Sequence, residues 1–227
     1  FDVVCEGSGP YNYQISGLSG ATDYIWQANS PSASITPTAN QEVVAVDFSD
    51  AGNYIISVIP SNECGLGAAI DFTVTVNPDG VITHDGTQGA LDQTHCEGEA
   101  IEPIVFSLSG GATGATASGL PAGLLFDPVA LTISGTPTDD ITSVATYTYT
   151  VTTTGSGCAP DDITGTITIN PLDKLTTTSD TAQVVCSATA IAPITYSLGG
   201  GATGASISWD VVPSGITFDS VTATLSG

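Results

Sequence analysis

Positive charge is almost absent: Lys174 is the sole Lys or Arg, against 23 Asp and Glu, giving a formal net charge of −22. A chain so built cannot neutralise a row of phosphates, which excludes nucleic acid and anionic membrane as partners. The same surface repels copies of itself, stays solvated and attracts divalent cations. Methionine is missing altogether, and no signal peptide begins at Phe1, as expected of an internal or processed piece of an exported protein. No window sustains a 3.6-residue apolar period, and no apolar run reaches the length of a membrane span. C-x-x-C pairs are absent too, which disfavours zinc and favours disulfides. Only 11% of residues are charged, and Gly, Thr, Ser and Ala fill the surface positions. With 41% hydrophobic residues to form cores, this balance suits an all-β chain.

What the chain does contain is a repeat. CEGEAIEPIVFSLSGGATGA (Cys96–Ala115) returns 90 residues later as CSATAIAPITYSLGGGATGA (Cys186–Ala205), with 13 of 20 positions identical. LPAGLLFDPVALTISG (Leu120–Gly135) is then echoed by VPSGITFDSVTATLSG (Val212–Gly227), after a two-residue insertion near Trp209. A repeat of this length is one whole domain, so the chain reads as a window on an array. Three units are expected: 1–78, 79–171, and a partial copy over 172–227 that stops before its final strands.

Strand signals in the first unit are Tyr11–Ile15, Tyr24–Gln27, Glu42–Phe48, Tyr54–Ile59 and Ile70–Val76. Asp50-Ala-Gly-Asn-Tyr54 has the D-x-G-x-Y pattern of an immunoglobulin tyrosine corner, and Trp26 is a candidate for the central core Trp. In the second unit Ala145–Val151 alternates strictly, with Tyr147, Tyr149 and Val151 on one face, and Thr164–Ile169 is its hairpin partner. Both units end on a strand followed by Asn-Pro, at Asn77-Pro78 and Asn170-Pro171, where proline stops the ladder. Neither junction carries a Gly/Ser tract, so limited bending is expected between units. The fold class is therefore all-β, with tandem immunoglobulin-like β-sandwiches in an elongated array.

Cysteine placement suggests one staple per unit. Cys5 and Cys64 are 59 residues apart and Cys96 and Cys158 are 62 apart, each pair near the two ends of a unit in sequence. These spacings predict Cys5–Cys64 and Cys96–Cys158, each stabilising by roughly 3–4 kcal/mol in the chain-entropy model. Cys186 aligns with Cys96, and its partner is expected beyond the end of the chain.

Two resemblances follow. Leu120–Asp127 with Thr132–Pro137 resembles the LPxGLxFD…ISGTP signature of bacterial putative-Ig, cadherin-like repeats. The first unit, with Tyr24–Trp26, Val43–Phe48, Asp50–Tyr54 and Asn62–Gly65, resembles PKD-like domains. Tandem mixtures of the two are similar to giant cell-surface adhesins of Bacteroidota, including the SprB type used in gliding motility. That resemblance implies an extracellular, cell-surface protein exported by type IX secretion, whose partners are a surface polysaccharide or extracellular protein and neighbouring repeats of its own chain. It also implies O-glycosylation at Asp-Ser/Thr followed by a small or apolar residue, matched at Thr181 and Ser220.

Chemistry beyond this is sparse. Calcium is the one cofactor the composition invites, and its candidate ligands are Asp79, Asp139, Asp140, Asp161, Asp162 and Asp173, with Asp127 and Asp219 as a matched pair. The competing reading is turn-capping aspartates. His84 and His95 lie near Asp85, Asp92 and Cys96 but on a linker and a first strand, and no catalytic role is expected of them. Glu97, Glu99 and Glu102 read as a solvated edge that discourages strand addition. The glycines of Gly110–Gly114 read as a turn rather than a phosphate loop. Trp209 is the aromatic best placed to bind a ligand. An adhesive stalk segment is the leading expectation; a carbohydrate-binding module and an accessory domain of a secreted hydrolase are the alternatives.

Overall fold

The computed structural model describes residues 2–16, 19–38, 41–211 and 214–227. Phe1, the expected start of the first unit, and Val212-Pro213, which open the second LPxGLxFD-type phrase, lie outside the described residues. No described residue is helical, and the strands sort by pairing into three sets that exchange no ladder among the described residues.

The first set comprises β1 (Asp2–Cys5), β2 (Tyr11–Gln14), β3 (Asp23–Ala28), β4 (Ala33–Pro37), β5 (Val43–Phe48), β6 (Gly52–Asn62), β7 (Gly65–Leu66) and β8 (Ile70–Asn77). One sheet runs β1-β8-β6-β3, with β7 on β6; the other runs β2-β5-β4. Period-two alternation explains the sandwich: Val44, Val46 and Phe48 point inward from β5, and Tyr54, Ile56, Val74 and Val76 meet them from the opposite sheet. The tyrosine corner forms. Tyr54 is 5% exposed, and its hydroxyl donates to the Asp50 carbonyl at 2.7 Å, pinning the crossover between sheets. Trp26 is not the centre of this core. It is half-buried, stacked on Phe72 with centroids 6.3 Å apart, and its indole N–H donates to the Gln41 carbonyl at the margin.

The second set comprises β9 (Gly80–His84), β10 (Gln93–Cys96), β11 (Ile104–Gly110), β12 (Gly114–Ser118), β13 (Leu124–Asp127), β14 (Thr132–Gly135), β15 (Ala145–Thr154) and β16 (Asp162–Asn170). Its sheets run β10-β16-β15-β12 and β13-β14-β11-β9. Tyr149, Val151, Ile167 and Ile169 face Ile104, Phe106 and Ile133 across the core. Gly110–Gly114 is the β11–β12 turn.

The third set, β17 (Lys174–Thr176), β18 (Ile194–Thr195), β19 (Ser197–Gly199), β20 (Thr217–Asp219) and β21 (Thr224–Ser226), copies part of the second. Ile194 pairs with Leu225 as Ile104 pairs with Ile133, and Phe218 with Leu225 as Phe126 with Ile133. Nothing in this set corresponds to β15 and β16. Leu175 is therefore 52% exposed, where Ile82 at the same register is 5% exposed.

Candidate functional site: the junction between sandwiches

The strongest local chemistry sits where the first set meets the second. β1 lies parallel to β8 in a register that sets Cys5 opposite Asn77, the residue before Pro78. Just beyond, the β15–β16 loop folds back onto the junction. The Ala159 N–H donates to the Asp79 carboxylate at 3.2 Å, the Gly80 N–H to the Ala159 carbonyl at 3.0 Å, and the Ile82 N–H to the Asp161 carboxylate at 3.0 Å. These bonds hold Cys158 against Asn77, its sulfur 3.7 Å from that carbonyl oxygen. Cys5 and Cys158 are joined by a disulfide, with 5.7 Å between Cα atoms and 153 residues between them in sequence.

This corrects the expected pairing. Cys5 does not bond Cys64, nor Cys96 Cys158; Cys64, Cys96 and Cys186 carry free, exposed thiols. The reason is strand length. Cys5 stands at the C-terminal end of β8 and Cys64 in the turn that precedes β8. Seven steps of about 3.3 Å separate those ends by ~23 Å, whereas a disulfide needs Cα atoms within about 7 Å. Cys96, opposite Asn170, and Cys158, ahead of Asp162, are likewise at opposite ends of β16. A separation of sixty residues marks the two ends of a sandwich, not two neighbours.

Glu6, next to Cys5, completes the joint. One carboxylate oxygen accepts the Asp79 N–H and the other the Ala51 N–H, both at 3.0 Å. Glu97, next to Cys96, does the equivalent work at the following junction, accepting the Leu172 N–H at 3.5 Å and the Lys174 ammonium at 3.3 Å. Lys174 also pairs with Asp140, which holds the ammonium above its ordinary pKa. The one lysine thus reaches across a junction, and Glu97 is half-buried there rather than part of a solvated edge. Glu99 instead caps the Cys96 N–H, and Gln93 clamps the Glu102 N–H.

The aspartates expected to gather calcium are dispersed. Asp79 accepts the Ala159 loop N–H and Asp161 the Ile82 N–H of β9, Asp139 accepts the Ala122 N–H, and Asp140 faces Lys174. Asp162 and Asp173 are exposed, and no cluster of three or more metal-ligating side chains occurs among the described residues. Asp127 and Asp219 each cap a turn: N–H groups of Ala130 and Val129, and of Thr222 and Val221, hold their carboxyls below the usual range. His84 and His95 lie within hydrogen-bond distance of the Gly89 carbonyl and the Gln93 side chain, both at 2.8 Å. Thr181 and Ser220 are exposed on turns, and Trp209 is half-buried.

No described helix is long and apolar enough to cross a membrane. The PKD-like domain model matches residues 2–74, and the Putative Ig domain model matches residues 87–170. No curated protein matches the chain. Among solved structures, a three-Ig segment of titin (an E-to-A mutated variant) aligns at 9% identity and TM-score 0.52, over 99% of this chain and 83% of that one. Drosophila N-cadherin EC1-4 aligns at 14% identity and TM-score 0.48, over 75% of this chain; the match spans 47% of the cadherin. Human CDH23 EC21-23 aligns at 15% identity and TM-score 0.45, over 98% and 85%. The titin alignment shows an immunoglobulin-like fold, and along the chain the PKD-like match precedes the immunoglobulin-type one.

Proposed function

We propose that this chain is a stalk segment of a large secreted cell-surface adhesin, in which units 1–78, 79–171 and 172–227 hold a distal binding region away from the cell. The observation that carries this reading is the Cys5–Cys158 disulfide, because it ties successive sandwiches rather than stapling each one. A bond so placed limits hinge motion at a junction, which serves reach and load bearing and does nothing for catalysis. An oxidising compartment is required to keep it, which supports an extracellular location. Net charge of −22 keeps a crowded surface of such rods apart. Type IX export and a role in gliding motility are the finer form of the proposal, supported by the signature phrases rather than by the fold. The partner is a surface polysaccharide or extracellular protein met by the distal region.

The test is a replacement inside the parent protein. Exchanging these 227 residues for an unrelated sandwich array of equal length is expected to leave adhesion and gliding intact. Loss of adhesion with normal surface display would show that the segment itself binds, and would overturn the stalk reading.

A further inference from the structure

The second junction repeats the first with one element missing. Cys5 and Cys96 occupy the same place: each ends a strand running parallel to the last strand of its sandwich, opposite the Asn of Asn-Pro. Each is followed by Glu-Gly, and each Glu accepts the N–H of the residue after the proline, Asp79 in one case and Leu172 in the other. The facing turn matches as well. Gly110 and Gly200, at φ +62° and +66°, approach the carbonyls of Asp79 and Leu172 so closely that no side chain fits. The site opposite Cys5 holds the β15–β16 loop and Cys158; the site opposite Cys96 lacks that loop, since the third set has no counterpart of β15 and β16.

We propose that Cys96 is one half of a second disulfide between sandwiches, whose partner is the hairpin-loop cysteine of a completed third sandwich. Cys186, the counterpart of Cys96, and Cys64, in the hairpin turn at the far end of the first sandwich, are then the two open ends of the same ladder. Each sandwich offers one cysteine forward from its strand end and one backward from its hairpin loop. The bond forms by exchange with a small disulfide such as oxidised glutathione. The Cys96 thiolate attacks it and expels one small thiol; the loop thiolate then attacks the Cys96 sulfur and expels the second. Two cysteines are oxidised and one small disulfide is reduced to two thiols. This pairing stands whether or not the array is adhesive.

The experiment extends the whole chain by a copy of residues 136–171 appended after Gly227, supplying the missing strands and loop. The protein is refolded in a glutathione redox couple, alkylated and digested without reduction. The expected product links Cys96 to the appended cysteine, beside the Cys5–Cys158 link that reports a folded first junction. A link from Cys186 to the appended cysteine, or a protease-resistant extension with Cys96 still alkylated, overturns the proposal. Should the extension be protease-sensitive, Cys5→Ser in the unextended chain decides. Cys96 and Cys158 both alkylated upholds their placement at opposite ends of the sandwich, whereas a Cys96–Cys158 link overturns it.

Discussion

Replacing Cys5 with serine is expected to destabilise two sandwiches at once, although the residue belongs to only one. While the disulfide is intact, unfolding the first sandwich alone leaves its strands as a closed loop of about 70 residues between Cys5 and the junction; unfolding the second leaves about 80 between the junction and Cys158. The chain-entropy model assigns such loops roughly 4–5 kcal/mol each while the other sandwich is folded. A domain of this size shifts its melting temperature by about 6 °C per kcal/mol, so the transition of the sandwich that melts first is expected to fall by as much as ~25 °C; melting the other then only enlarges the open loop to the 153 residues between the two cysteines, worth ~0.6 kcal/mol or ~4 °C. Scanning calorimetry reads the two transitions, and peptide-resolved native-state hydrogen exchange reads the opening of each sandwich while the other is folded, where both are expected to lose the full loop contribution. Cys158→Ser is expected to reproduce the pattern from the other side. If Cys5→Ser speeds native-state exchange only in the first sandwich and leaves the second unchanged, the staple lies within a sandwich and the reasoning fails.

Other outcomes follow from the same structure. Pulled from its two termini, the oxidised chain is expected to hide the residues between Cys5 and Cys158, so about 500 Å of contour length appears in a force spectrum only after reduction. Tyr54→Phe removes the hydroxyl bond to the Asp50 carbonyl and should lower the stability of the first sandwich by about 1 kcal/mol in urea titration. Burial, with the nearby Asp92 charge, pushes Tyr149 up to about 12, and its hydroxyl donates to the Leu91 carbonyl at 2.9 Å. A raised folded-state value means that this stability is complete below the ordinary tyrosine pKa of 10 and is lost as pH rises from there toward 12. Tyrosine absorbance should therefore show Tyr149 ionising only as the second sandwich unfolds, a step that Tyr149→Phe shifts to higher pH.

Local order was legible and long-range order was not. Strands such as β5, β15 and β16 announce themselves through alternation, because one face must be apolar and the next polar. The tyrosine corner is legible for a similar reason: its donor and acceptor lie four residues apart. β1 and β4 give no such signal, being short, and β4 ends on Pro37. The disulfide needed knowledge that no spacing supplies. Its partners are set by the parallel pairing of β1 with β8, and that pairing moves Cys5 away from its sequence-matched partner and into the next sandwich. The shared Cys-Glu-Gly phrases at Cys5 and Cys96 were the available clue, since two equivalent cysteines call for equivalent partners. Lys174 carried a clue as well. As the sole Lys or Arg in an acidic chain it had to lie near carboxylates, but only the fold shows that Glu97 and Asp140 flank it across a junction.

Peptide mapping of the 227-residue chain decides whether a disulfide bridges successive sandwiches. Pepsin suits the purpose: Lys174 leaves trypsin a single site, and acid suppresses the thiolate that would scramble disulfides. One linked pair containing Cys5 and Cys158 is expected, with Cys64, Cys96 and Cys186 recovered as alkylated thiols. Linked pairs joining Cys5 to Cys64 and Cys96 to Cys158 would contradict it.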